Sequence, residues 1–381
     1  MRASHISAAV LAAAFAMGTA QAAQVELYGI IDTGLSYQHV DTDQANKDAT
    51  DQFQMKSSQS TPNRWGMRGS EDLGNGLKVG FMLEGQFGSD DGTMTGQRLF
   101  NRTAQLSLAS SYGTVVVGRS GALRSGFGTT GIWGPKVAPF SNSWGEYITG
   151  TKYIMPGGFK AVDNAITYQS PVFSGVQLHA QYSFKINNVE DKEGVEGKSS
   201  SDRQWALGAT YTGGPVHVAF VLDSVLYGND FIANQDEYDD SLAASLAGTY
   251  DFGFMKLYAS GMYFKGMKNS EFQGHGSLDD IAKDASYKGY SLQLGADVPA
   301  FGGTAKVNFG WMDGETDQKA VNYAGKSDDI DRFSAALGYV YPLSKRTSVY
   351  GGLGYVMDSS NKFENSDPSA YEAVCGIVHR F

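Results

Sequence analysis

Along most of residues 25–381, apolar and polar side chains alternate for about ten positions, and then the chain turns. A period of two puts one set of side chains on each face of an extended strand. Val25, Leu27, Ile31, Leu35 and Tyr37 fall on one face, with Glu26, Tyr28, Ile30, Asp32 and Ser36 on the other. Leu77, Val79, Phe81 and Leu83 oppose Lys78, Met82, Glu84 and Gln86 in the same way. Sixteen such strands can be traced, the last ending at Phe381. Their connections alternate between short turns, such as Asp72-Leu73-Gly74-Asn75-Gly76 and Thr212-Gly213-Gly214-Pro215, and long polar segments such as residues 39–52, 186–202, 227–240, 266–286 and 313–329. Glycine and asparagine in the short turns supply left-handed backbone angles. An even strand count with short turns at one rim and long loops at the other predicts an all-β, 16-stranded antiparallel transmembrane β-barrel. A soluble sandwich gives no reason for that alternation. Composition agrees: 48 glycines in 381 residues and 12% aromatics against 18% charged residues suit strands and turns better than helices.

Residues 1–22 read as a secretory signal peptide, with Arg2, an apolar run over 8–17 and the small-x-small site Ala20-Gln21-Ala22. The run is too short for a membrane helix, which needs about 20 residues. The expected mature domain is therefore 23–381. No later stretch reaches the roughly 18 apolar residues of a spanning helix, which leaves a soluble fold or a membrane barrel. Cys375 is the single cysteine, so no internal disulfide is available and the backbone ladder must hold the fold. In lipid that ladder must close on itself. Sixteen strands enclose a lumen too wide for side chains to fill.

Alternation stops at residues 120–152. Nine glycines and prolines there are interleaved with Trp133, Phe140, Trp144 and Tyr147. A loop of this length in a compact domain is functional or disordered, and its aromatics argue against disorder. The lumen is where they can pack, so this segment is expected to fold inward and constrict the passage.

Three blocks carry a resemblance: Leu27-Tyr28-Gly29-Ile30-Ile31-Asp32, Arg64-Trp65-Gly66-Met67-Arg68-Gly69-Ser70-Glu71-Asp72-Leu73-Gly74, and Gly113-Thr114-Val115-Val116-Val117-Gly118-Arg119. With the ending His379-Arg380-Phe381, they resemble the general porins of the beta-proteobacterial outer membrane, over the whole mature chain. The resemblance implies a homotrimer of 16-stranded barrels, each with its third loop in the pore. It implies that the barrel-assembly machinery reads Phe381 and Arg380, and that a basic cluster at the constriction maps to Arg64, Arg102 and Lys160. It also implies passive transport of small hydrophilic solutes across the outer membrane. Where the family usually continues the third block with Gln and a nearby Asp, this chain has Ser120-Gly121-Ala122-Leu123.

The formal charge of −10 is unevenly distributed, with the long connections acidic and the remainder net basic. Acidic loops offer oxygen ligands to Ca²⁺ or Mg²⁺ bridging to lipopolysaccharide, although a solvated surface is the plainer reading. No other cofactor and no nucleic acid are implied. Arg64, Arg68 and Arg332 share the polar face of their strands. Arg124 and Lys136 lie on the inward segment with the acid Glu146, which is expected to oppose the basic wall. Glu84 and Asp32 are further candidate acids, setting a transverse field or pairing with the arginines. Arg102 shares parity with Leu106 and Leu108, and Arg119 with Val115 and Val117, so each needs a bulge or an interface position to reach the lumen. Rings of Arg and Lys favour anions.

Catalytic readings are weak. There is no HExxH or GxSxG, and the glycines of 120–134 lack the GK[ST] of a phosphate loop. A barrel hydrolase or protease would need a serine beside His179 or His217, and a surface adhesion protein would need no conductance. A substrate-specific channel would show saturable flux.

Overall fold

The computed structural model describes residues 24–43, 47–141, 143–158, 160–189, 194–228, 239–268, 271–272, 285–319, 329–360 and 367–381. The signal-peptide reading of residues 1–22, and most of the acidic loop tips, lie outside them.

All the strands belong to one antiparallel sheet. In chain order they are β1 (Gln24–Asp41), β2 (Thr50–Ser57), β3 (Arg64–Gly74), β4 (Leu77–Gln86), β5 (Thr103–Ser110), β6 (Gly113–Gly121), β7 (Ala161–Gln169), β8 (Val176–Ser183) and β9 (Arg203–Gly213). The second half holds β10 (Val216–Leu226), β11 (Leu242–Asp251), β12 (Lys256–Lys268), β13 (Ala285–Ala300), β14 (Gly303–Lys319), β15 (Asp329–Pro342), β16 (Thr347–Ser360) and β17 (Ser369–Arg380). From β3 onward each pairs with the next in sequence, and β1 pairs with β17 from Ile30↔Arg380 to Asp41↔Ser369, closing the barrel. β2 and β3 both pair with β1, from Val40↔Thr50 to Thr33↔Ser57 and then from Ile30↔Arg64 to Gln24↔Ser70. They are two halves of one stave, so the 17 segments make 16 staves, as the periodicity predicts. Residues 58–63 interrupt that stave and face only Ile31 and Asp32 across it, a ledge the sequence reading does not contain.

The faces follow the alternation. Leu27, Leu106, Leu207, Leu246, Leu292 and Leu353 are exposed on the outside, while Ser36, Thr103, Gln181, Ser245, Gln293 and Glu372 are buried on the inside. Outward aromatics gather at both rims. Tyr168, Tyr211, Tyr250 and Tyr341 lie toward the short turns, and Tyr263, Tyr290, Trp311, Tyr355 and Tyr371 toward the long connections. Such bands match the two interfaces of a bilayer. Several strands run beyond the expected boundaries into the long connections. β1 continues to Asp41, and β14 continues through Asp313 and Glu315.

Residues 120–152 lie against the inner wall as expected. Their first half packs Leu123, Ile132 and Trp133 on the small inward side chains Ala206, Ala219, Ala243 and Ala247 of β9–β11. Their second half packs Phe140, Trp144 and Ile148 on Ala336, Tyr350, Val374 and Val378 of β15–β17. The segment thus crosses the lumen. Gly338 and Gly352 leave the room for this: a Cβ on them would sit 2.6 Å from the Phe140 ring and 3.1 Å from the Trp144 ring. A five-residue helix, α1 (Gly150–Ile154), completes the docking, with Thr151 hydrogen-bonded to Gln293 of β13 (3.0 Å).

Candidate functional site

Where the inward segment meets the wall, a cavity of about 560 Å³ remains. Five cations line it: Arg64 of β3, Arg102 just before β5, Lys152 of α1, Lys306 of β14 and Arg380 of β17. Hydroxyls of Ser58, Ser60, Thr61, Ser141, Ser143, Ser348 and Tyr350 and the Gln86 amide complete its polar side chains, with Trp144 and Phe127 as aromatic walls. Among the described residues no carboxylate lines it.

The acids nearest these cations sit behind them. Glu84 is buried; it accepts Arg102 Nε at 2.5 Å and the Tyr28 hydroxyl at 2.9 Å, and lies 3.9 Å from Arg64 Nη1. One carboxylate therefore serves two arginines. Arg102 also spans to the inward segment, its guanidinium 4.4 Å from the Phe127 ring centroid. Lys306 is held by Asp297 (2.8 Å) and by the Pro139 carbonyl (3.0 Å). Lys152 and Arg380 have no acidic partner among the described residues. Burial pulls the Lys152 ammonium below the usual lysine value, Glu146 raises it in part, and Arg102 lowers it further. Arg64 is aimed by the ledge, donating Nε to Pro62 O (3.1 Å) and Nη2 to Thr61 Oγ1 (2.9 Å).

Arg64 and Arg102 thus meet as expected, and Arg380, read from sequence only as an assembly signal, joins them. Arg102 escapes the parity objection because β5 begins one residue after it, at Thr103.

The other candidates are placed elsewhere. Arg68 faces a second cavity toward the short turns, where it pairs with Glu26 at 2.8 Å. Arg119 is freed from its parity by a register shift between Gly118 and Ser120, yet with Arg98 it clamps Asp163 (2.5 and 2.8 Å) away from the cavity. Lys160 pairs with Glu271 at 3.0 Å outside the cavity lining.

Arg332 and Arg124 point inward but are buried behind the segment and take no part in the cavity lining. Arg332 binds Asp358 (3.2 Å) and the Tyr153 carbonyl (3.1 Å), and Arg124 binds Asp223 (3.1 Å) and the Pro156 carbonyl (2.7 Å). Both anchor the inward segment to the wall. Lys136 remains on the segment's surface, its ammonium 3.4 Å from Gly131 O.

Glu146 does not oppose the arginines. Its backbone N–H and that of Tyr147 both donate to Glu372 of β17 (2.6 and 2.9 Å), which turns the side chain toward Lys56 at 3.1 Å. Asp32 is fully buried beneath the ledge and faces no open water. Sequence reasoning also missed Lys306 and the ledge. The signal for Lys306 was its parity with Asn308 on the polar face of β14. The signal for the ledge was the Ser- and Pro-containing run Ser57-Ser58-Gln59-Ser60-Thr61-Pro62-Asn63.

Among the described residues no group of acids, histidines or cysteines is arranged to hold a metal ion.

Comparison with known proteins gives one consistent answer. Residues 7–361 match the family described as Gram-negative porin. An outer membrane porin protein of Bordetella pertussis is 34% identical, covering 98% of this chain and 99% of that protein. Outer membrane porin protein 32 of Delftia acidovorans is 33% identical over 93% of this chain and 90% of its own length. Among solved structures, the anion-selective porin from Comamonas acidovorans superposes with a TM-score of 0.66 at 25% identity, covering 94% of this chain and 100% of that one.

Proposed function

Because this chain belongs to the Gram-negative porin family, we propose that its cation-lined cavity gives an outer-membrane diffusion pore a mild preference for anions. The protein is an outer-membrane porin, a passive channel for small hydrophilic solutes and ions. Porins conduct without a covalent step. The observation that carries the anion preference is the lining itself: five cations and, among the described residues, no carboxylate, with Glu84 buried behind Arg64 and Arg102, Asp297 held against Lys306, and Glu146 turned to Lys56. In a narrow passage with low-dielectric walls such charge concentrates ions of opposite sign. The solved relative named an anion-selective porin supports the same sign.

The working unit is read as a homotrimer in outer-membrane lipid, inserted by the barrel-assembly machinery through Phe381 and Arg380. Support comes from the family resemblance and from the apolar, aromatic-banded exterior. Contact of the acidic long connections with lipopolysaccharide through Ca²⁺ or Mg²⁺ belongs to the same reading. The deciding experiment is the zero-current potential of the purified protein in a planar bilayer under a KCl gradient. A chloride-preferring sign is expected, and clear potassium preference removes the anion claim.

A further inference from the structure

Asp32 holds a carboxylate with no access to the passage, yet four donors converge on it. Oδ2 accepts Ser60 N–H (2.7 Å), the Ser60 hydroxyl (2.9 Å) and Thr61 N–H (2.7 Å), and Oδ1 accepts the Tyr350 hydroxyl (2.6 Å). Its own backbone joins in: Asp32 N–H donates to the Asn63 side chain, and Asp32 O accepts Ser58 N–H at 2.9 Å. Both ends of the ledge are thus tied to one residue of β1. The ledge in turn makes two further sets of contacts. Thr61 and Pro62 hold the Arg64 guanidinium, and Gln59 O and Ser60 O accept Gly145 N–H (2.6 Å) and the Ser143 hydroxyl (3.1 Å) from the tip of the inward segment. Tyr350 also packs edge-on against Trp144, with ring centroids 5.3 Å apart.

We propose that Asp32 is a positioning residue for selectivity: its buried carboxylate folds residues 58–63 inward, and the folded ledge aims Arg64 and seats the tip of the inward segment. The proposal rests on the anion-preferring reading of the passage. Only a carboxylate offers acceptor oxygens at both Oδ1 and Oδ2, where these donors arrive; an amide presents one oxygen and, in place of the other, two N–H donors of its own.

Asp32→Asn separates positioning from charge by sign. If Asp32 acted only as a charge in the wall, removing it would raise anion preference. Acting through Arg64, the substitution instead lowers it, with about half of the wild-type zero-current potential lost as the ledge relaxes. In the Arg64→Gln background the same change has little further effect, because residues acting through one another are not additive. Ser60→Ala and Tyr350→Phe each remove one bond and no charge. Both give smaller losses of the same sign, and they carry the test if Asp32→Asn does not form a heat-modifiable barrel on gels. Anion preference that is unchanged or raised in the folded variants, or effects of Asp32→Asn and Arg64→Gln that simply add, overturns the proposal. If the wild type itself shows no anion preference, the functional reading fails instead. Single-channel conductance then decides for Asp32: a change that is non-additive with Arg64→Gln supports positioning, and an unchanged conductance overturns it.

Discussion

At the scale of single residues, the balance around Glu84 shows how selectivity and stability oppose each other. Its side chain and that of Arg102 are each 3% exposed. Glu84→Gln leaves Arg102 and Arg64 without their shared counter-charge, so anion preference rises. The same substitution leaves a buried guanidinium unpaired, and loss of one partner of a buried pair typically costs about 3–5 kcal/mol. The expected outcome is a more anion-selective pore that unfolds at lower temperature, read from zero-current potential and from gel heat-modifiability. Lys152 gives the pH dependence. Burial favours its neutral form, so it discharges below the pH at which an ordinary lysine does. As pH rises through that lowered value, the passage loses a positive charge and anion preference falls; as pH drops again, the preference returns. Lys152→Gln starts from a lower preference and lacks this early alkaline step, while the later titration of other lysines remains. A wild-type potential that stays flat until ordinary lysines titrate would count against it.

At the scale of elements, the inward segment is held as tightly by absent side chains as by present ones. A Cβ on Gly354 of β16 would lie 2.5 Å from the Tyr147 carbonyl oxygen. That atom is backbone, so it cannot swing aside, and Gly354→Ala must push the segment off the wall into the passage. Single-channel conductance is expected to fall with the sign of selectivity kept, and an unchanged conductance would mean that the wall yields instead. The staves and the inward course of this segment were legible in the sequence, because period-two patterning and a break in it are local signals. The ledge was not, because its shape is set by Asp32 on a neighbouring strand. Parity also misled in two ways. It excluded Arg102, which lies one residue before β5 and need not alternate. It admitted Arg332, as membership of the inward segment admitted Arg124, because facing inward is a property of the strand or loop, whereas lining the cavity depends on what the inward segment covers.

At the scale of the whole molecule, function depends on closure, since a seam left open in lipid strands a row of unpaired backbone groups at several kcal/mol each. The seam between β1 and β17 ends where Gly29 and Phe381 exchange both backbone hydrogen bonds, each at 3.1 Å. There the Phe381 ring occupies the place of a Gly29 side chain; a Cβ on Gly29 would sit 2.2 Å from the ring's tip. The terminal phenylalanine therefore has a structural role in the finished barrel, besides the recognition role that family resemblance gives it. The two roles separate in vitro. Gly29→Val keeps the C-terminal sequence intact but evicts the ring from its seat. Refolded into detergent without any assembly machinery, Gly29→Val and Phe381→Ala are both expected to close more slowly than wild type, as followed by the appearance of the heat-modifiable band. If Phe381 serves recognition alone, both variants refold at the wild-type rate in detergent, and only Phe381→Ala is impaired in cells.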